Sequence, residues 1–316
     1  MQTISLVFAA VLPVFLVVGC GVVIRRIGWL NEEADKSLMT LVINLLYPAL
    51  IFSFILGNDA LRQSKNLIVP PLFGFVSVLV IFALGLILAR VWHLGNSQER
   101  RTFAFTTGIY NYGYFAIPVT ALLFDRETIG LILVHNQVVD ISMSAVVVGF
   151  ILGGQKSHSL LQKIFSPPVI SIFVAVPLNL IGGASFLPEF LLDTIQLLAD
   201  CAIPIALILI GATFADLARG LQFHKRVNIA LGALALRAGI FPILYLFLAW
   251  SLPISIELKK VMLVQAAMPC AVFPIVLSRH FHGSPEVAFR TVITTTVLSL
   301  ITIPLWVGIG FFILGF

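Results

Sequence analysis

The 316 residues are 59% hydrophobic and only 10% charged, with a mean hydropathy of +1.08. Soluble domains carry about 25% charge, so the composition excludes a soluble domain and points to an integral membrane protein. The formal charge of +5 does not signal a nucleic-acid partner, because the basic residues are scattered through short loops without a recognition motif.

A helix crosses the hydrocarbon layer with about 20 apolar residues. Segments of that kind are predicted, in chain order, at 5–24, 38–57, 67–90, 103–124, 128–152, 167–184, 190–212, 227–250, 259–279 and 289–313. They are numbered here as spans 1 to 10, and the gaps between them are too short for a soluble domain. The first lacks a basic flank before it and is followed by many similar runs, so it reads as a span rather than a signal peptide. Counting Lys and Arg on alternate connections gives thirteen on one side. The other side has five: Arg62, Lys65, Arg126, Lys259 and Lys260. The basic side is the cytoplasmic one, which predicts a multi-pass protein of the cell inner membrane with both termini on the non-cytoplasmic side.

Span 4 contains "YNYGYFAIP", with Gly108, Gly113 and Pro118 where an uninterrupted helix is due. Span 9 contains "AAMPCAVFP", with Pro269 and Pro274. Proline removes a backbone donor and clashes with the preceding turn, so both spans are predicted to break. Folding the chain on itself sets Pro13 against Pro168, Pro48 against Pro204 and Pro118 against Pro269, at offsets of 155, 156 and 151. This predicts a first five-helix repeat over 1–153, a short cytoplasmic linker over 154–166 and a second repeat over 167–316. An odd number of spans per half makes the second copy inverted, the plan of many secondary transporters. Broken helices offer free amides and dipoles suited to an anion; simple kinks are the structural alternative.

Polar residues at membrane depth are the remaining candidates. Asn111 either caps the freed turn or meets substrate. His135, Asn136, Gln137 and Asp140 cluster in span 5, Asp200 lies in span 7, and Arg237 lies near the middle of span 8. Arg237 needs a carboxylate or an anionic ligand: a structural salt bridge with Asp200 or Asp140 is one reading, support of a substrate field the other. Asp140 and its neighbours form a candidate proton relay. Cys20, Cys201 and Cys270 stand far apart in apolar surroundings, without a disulfide or metal spacing. His280 and His282 have no third ligand nearby. No Walker A run or nucleophile elbow appears, so neither ATP use, nor a cofactor, nor enzymatic activity is expected.

With these residues in view, the chain resembles the auxin efflux carrier family, in particular its bacterial malate- or malonate-transporter-like members. The resemblance runs over nearly the whole length and is most specific in "NYGYFAIPVTALLFDRETIG", supported by "AAMPCAVFPIVLSRHF", "AIPIALILIGATF" and "LRAGIFP". It implies an all-α polytopic protein of ten transmembrane helices in two inverted five-helix repeats, with helices 4 and 9 broken and crossing, as in bile-acid symporters. Spans 1, 2, 6 and 7 would form a scaffold, and spans 3–5 and 8–10 a moving transport part of elevator type. The implied substrate is a small organic anion, a mono- or dicarboxylate. It would sit at Asn111, Tyr112, Gly113, Pro118, Pro269 and Cys270, with Arg237 nearby. A homodimer is a further implication. A passive anion channel and a ligand-sensing receptor are the alternatives in other classes. Two departures stand out: no long hydrophilic loop separates the halves, and Cys270 and Phe273 stand where bacterial relatives often carry Ser and Asn.

Overall fold

In lipid every backbone polar group must be satisfied within the chain, and the apolar segments accordingly fold as helices. The structure, a computed structural model, describes residues 2–146, 166–218, 226–280 and 283–316. The linker expected over 154–166 falls almost wholly outside these residues, as do Lys156, Lys163, Arg219, Lys225 and His282. The side chains of Asp140 and His280 also lie outside the described part.

Helix forms in the described part of each expected span, with a break inside spans 4 and 9. The elements are α1 Gln2–Arg26, α2 Glu32–Ile55, α3 Ser64–Val91, α4 Ser97–Gly108, α5 Ala116–Leu123 and α6 Arg126–Val146. They continue as α7 Pro167–Leu180, α8 Glu189–Ala218, α9 Val227–Ser251, α10 Ile256–Ala267, α11 Phe273–His280 and α12 Pro285–Leu314. Six of them (α1, α2, α3, α8, α9 and α12) are long and apolar enough to cross a membrane by length and composition. Among the described residues there is no sheet, only one isolated bridge. The protein is an all-α, multi-pass membrane protein.

Start signals are local. Asn96 and Glu99 form a reciprocal capping box at α4, while Ser255 and Ser284 cap α10 and α12. Proline then shapes the interiors. Val42–Leu46 in α2 and Ala235–Ile240 in α9 wind as π-turns, each followed within two residues by a proline, Pro48 and Pro242. A proline amide cannot join the regular ladder, and a widened turn is one way a helix absorbs that gap.

Two groups of helices emerge from the packing. In one, α8 packs against α1 and α2, and α7 against α2. Small residues permit the close approach: a Cβ on Gly21 would come within 2.2 Å of the Ile208 carbonyl, and one on Gly211 within 2.0 Å of that of Val18. In the other group, α3 packs on α4 and α6, while α9, α10 and α12 pack on one another. Contacts of α10 with α6 and of α12 with α4 join its two halves.

Spans 4 and 9 are interrupted, as their sequences predicted, but not at the expected residues. Helix stops at Gly108 and restarts at Ala116, so Pro118 lies in the first turn of α5. It stops again at Ala267 and restarts at Phe273, with Pro274 in the first turn of α11. Proline is tolerated in a first turn because its missing N–H has no helical partner there. Pro269 instead lies within the extended break. The expected pairing of Pro118 with Pro269 is therefore corrected: Pro118 and Pro274 hold the matching places, and 274 − 118 gives 156. That offset agrees with the 155 and 156 of the other two pairs.

Candidate functional site

The two breaks meet. Asn111 N donates to the Pro269 carbonyl at 2.8 Å, and Ala271 N donates to the Ile109 carbonyl at 2.9 Å. This reciprocal exchange forms the isolated antiparallel bridge between Tyr110 and Cys270. Backbone that left two helices is thus re-satisfied strand to strand, which irregular backbone buried in protein at membrane depth requires.

Amides expected to stand free at the first crossing are already engaged. The Asn111 side-chain carbonyl accepts from Phe115 N at 3.1 Å, its backbone carbonyl accepts from Ala116 N, and Gly113 O accepts from Ile117 N. Asn111 is therefore a cap, one of its two expected roles. Its other side-chain atom, Nδ2, is buried and has no hydrogen-bond partner. Across the bridge, Cys270 N donates to Thr295 Oγ1 at 3.2 Å.

Span 5 supports the first strand from behind. Asn136 Nδ2 donates to the Tyr112 carbonyl at 2.7 Å, and its Oδ1 accepts from Gln265 Nε2 of α10 at 3.0 Å. His135 lies between Asn136 Oδ1, at 3.2 Å from Nδ1, and the Tyr110 hydroxyl, at 3.5 Å from Nε2. Tyr110 also meets the Ser77 hydroxyl at 3.1 Å. His135, Asn136 and Gln137 are all buried, and the Gln137 and Gln265 side-chain carbonyls lack partners. Four spans thus contribute to one polar network: those carrying α3, the break after α4, α6 and α10.

Arg237 sits in the π-turn of α9 and is 3% exposed. Its Nη2 donates to the Met268 carbonyl at the second break, while Nε and Nη1 have no partner. Phe241 lies under the guanidinium at 4.3 Å and Tyr110 at 5.4 Å, so aromatic faces replace part of its hydration. No ion pair joins it to a carboxylate among the described residues. The expected pair with Asp200 is not made, because Asp200 is exposed on α8 and accepts from Gln196 at 2.7 Å. Asp200 therefore does not join the buried network. Helix depth was readable there, but the face it presents was not.

Two clefts flank the crossing. One lies between the first break and helices α2 and α8; Gly113, Pro118, Tyr47, Leu50, Ala202 and Ala206 line it. The other is lined by Arg237, Leu234, Ala238, Met268, Pro269, Thr295 and Thr302 among others. The expected site residues are thus divided, with Gly113 and Pro118 on one cleft and Pro269 and Arg237 on the other. Sequence reading missed Ser77, Tyr110, Gln265 and Thr295. Gln265 carried a usable signal, a polar side chain four residues before Pro269 in an apolar run. Among the described residues no group of three His, Cys, Asp or Glu side chains is placed to hold a metal.

Helices long enough to cross, two broken helices joined back to back and buried donors beside the joint define a polytopic membrane transport protein. The sequence matches the family described as Membrane transport protein over residues 6–158 and 155–307. The chain belongs to that family, that of the auxin efflux carriers, as its motifs suggested, and its function is transport across a membrane. Similar proteins include an uncharacterized transporter of Methanothermobacter thermautotrophicus, 26% identical over 94% of this chain and 96% of the relative. An uncharacterized transporter of Methanocaldococcus jannaschii is 24% identical, with the same two coverages. A Rhizobium meliloti protein, provisionally named a malonate transporter, is 26% identical over 93% of this chain and 92% of its own.

Proposed function

We propose that the protein is a secondary carrier of a small organic anion, a mono- or dicarboxylate, bound at the crossing of its two broken helices. The observation that carries this reading is a pair of buried, unpartnered donors on opposite sides of the joint: Asn111 Nδ2 and the Nε and Nη1 of Arg237. An unmet buried donor costs about 1–3 kcal/mol, more when charged, and an anion removes that cost on binding. Asn111, Tyr112, Gly113 and Pro118 shape one side of the site; Pro269 and Cys270 shape the other, within the field of Arg237. The malonate label of the Rhizobium relative makes malonate one member of the panel to be tried.

In this reading ten helices form two inverted five-helix repeats, as in bile-acid symporters, meeting near the linker at 154–166. The common proline offset supports it. The group containing α1, α2, α7 and α8 is the static part. The group carrying the crossing slides past it as an elevator, exposing the anion to either side. Coupling is to protons, through His135, Asn136, Gln137 and Asp140, or to the membrane potential. Potential contributes about 2.3 kcal/mol per charge per 100 mV, so outward movement of an anion from a negative interior is favoured. Residence in the cell inner membrane with outward termini follows from the basic-residue bias, and a homodimer is the proposed assembly.

Radiolabelled counterflow in proteoliposomes tests the carrier. Trans-stimulated uptake is expected for at least one carboxylate in a broad panel. Flux without counterflow would assign a passive channel, and saturable binding with no flux a receptor.

A further inference from the structure

The cleft beside Arg237 does not open toward α2 and α8. Its walls come from α9, α10, the second break and α12. Leu234 and Ala238 on α9 and Thr302 on α12 are partly exposed. One turn away on those same faces stand Leu231, 54% exposed, and Leu305, 42% exposed, with Ile301 beside Thr302 at 65%. In a membrane-spanning protein such outward apolar side chains face acyl chains, so the mouth of this cleft lies on the bilayer. At its inner end are the partnerless Nε and Nη1 of a buried guanidinium. This is an apolar mouth with a cationic floor.

We infer that this cleft is a second ligand site, reached laterally from the bilayer, for a carboxylate carrying an apolar chain. The carboxylate meets Arg237 Nε or Nη1, with the Thr295 and Thr302 hydroxyls beside it, and the chain leaves between α9 and α12 into lipid. Depth selects a carboxylate over a phosphodiester headgroup. Arg237 is the eleventh residue of the 25-residue α9, roughly 15 Å along it at 1.5 Å per residue. A carboxylic acid with an ordinary pKa of about 4 can reach that depth neutral and ionise beside the arginine. A phosphodiester stays charged and anchored at the interface. The site shares only Arg237 and the second break with the small-anion site, and it goes beyond the carrier reading.

Trp306 supplies the probe, because its indole N–H donates to the Ala238 carbonyl at 2.8 Å, beside the cleft. A variant in which Trp29, Trp92 and Trp250 are replaced by Phe leaves Trp306 as sole tryptophan. In nanodiscs it is titrated with decanoate dibrominated near the carboxyl end. Saturable quenching is expected, displaced by plain decanoate at concentrations at least tenfold below those of malonate or acetate, which reach the same guanidinium without an apolar chain. Affinity falls at least tenfold in Arg237→Gln, and also in Ala238→Leu, which fills the cleft while keeping the charge. Unsaturable quenching equal in all three proteins, the signature of partition into lipid alone, overturns the inference. So does displacement by acetate or malonate as effective as by decanoate. Counterflow of small carboxylates by Ala238→Leu is read in parallel, so failure of the lateral site is distinguishable from failure of the carrier.

Discussion

The break at 109–115 and the break at 268–272 are joined by the same pair of backbone hydrogen bonds, yet they are furnished in opposite ways. The first carries its polarity in its own side chains: Tyr110 reaches Ser77 and His135, and Asn111 caps the helix that follows. The second contributes Pro269, Cys270 and Ala271, and borrows its polar groups from neighbours. Arg237 comes from α9 to Met268 O, and Thr295 from α12 to Cys270 N. A residue-by-residue comparison of the two motifs would call the second side apolar. Three-dimensional packing makes it the more strongly charged of the two.

The largest expected effect tests that borrowing. Arg237→Gln removes the cation and weakens a charge-assisted bond to Met268 O, a class worth about 1.5–3 kcal/mol. Counterflow should fall on the order of 100-fold, the upper end of that range; activity within a factor of two would erase the contrast between the breaks. Asn111 comes next, because two substitutions separate its roles. Asn111→Ala loses the cap and should lower stability by about 1 kcal/mol. Asn111→Asp keeps the cap acceptor but puts a carboxylate oxygen in place of the Nδ2 donor, so it should bind an anion at least tenfold more weakly than wild type at neutral pH. Equal binding by Asn111→Asp and wild type would leave only the structural role.

Thr295→Val sharpens the second side further. It leaves the Cys270 amide buried without its partner, at about 1–3 kcal/mol, and a lower melting temperature should report it. The smallest effect lies in the turn between α5 and α6, where it meets α10. Asp125 pairs with Lys260 and accepts from Thr128 N and Oγ1 at 3.0 and 2.6 Å. Partial burial alone would raise its pKa, but the bonds from Lys260 and Thr128 outweigh burial and hold it below the ordinary 3.8. A depressed carboxylate stabilises above its unfolded value, and that contribution is lost as pH falls through the folded one. Melting curves should therefore show a small wild-type loss of stability below about pH 4 that Asp125→Asn lacks.

Much of the fold was legible in the sequence because membrane helices announce themselves by length and hydropathy. The two interruptions were legible as well, from proline and glycine in otherwise apolar runs. Their exact seats were not. Proline was taken as the breaking point, whereas Pro118 and Pro274 occupy first turns, where the missing amide is harmless. The π-turns before Pro48 and Pro242 also went unread, since a proline tells where the ladder is disturbed but not how it is repaired. At the site, Asn111, His135, Asn136 and Arg237 stood out as polar residues at depth. Asp200 stood out equally and lies on the outer face of α8, because depth follows from counting and orientation only from packing. Gln265 was passed over beside a more conspicuous proline.

The joint between the breaks is made by main-chain atoms alone. An N–H and a carbonyl are present whatever side chain is attached, proline's missing N–H excepted, and here Pro269 supplies only a carbonyl. Substitutions at 109, 110, 270 or 271 other than proline can therefore change the side chains around the crossing without removing either main-chain bond that joins it. In evolutionary terms this separates the architecture from its vocabulary: point changes can rewrite the side chains around the joint while the main-chain pairing that makes it persists.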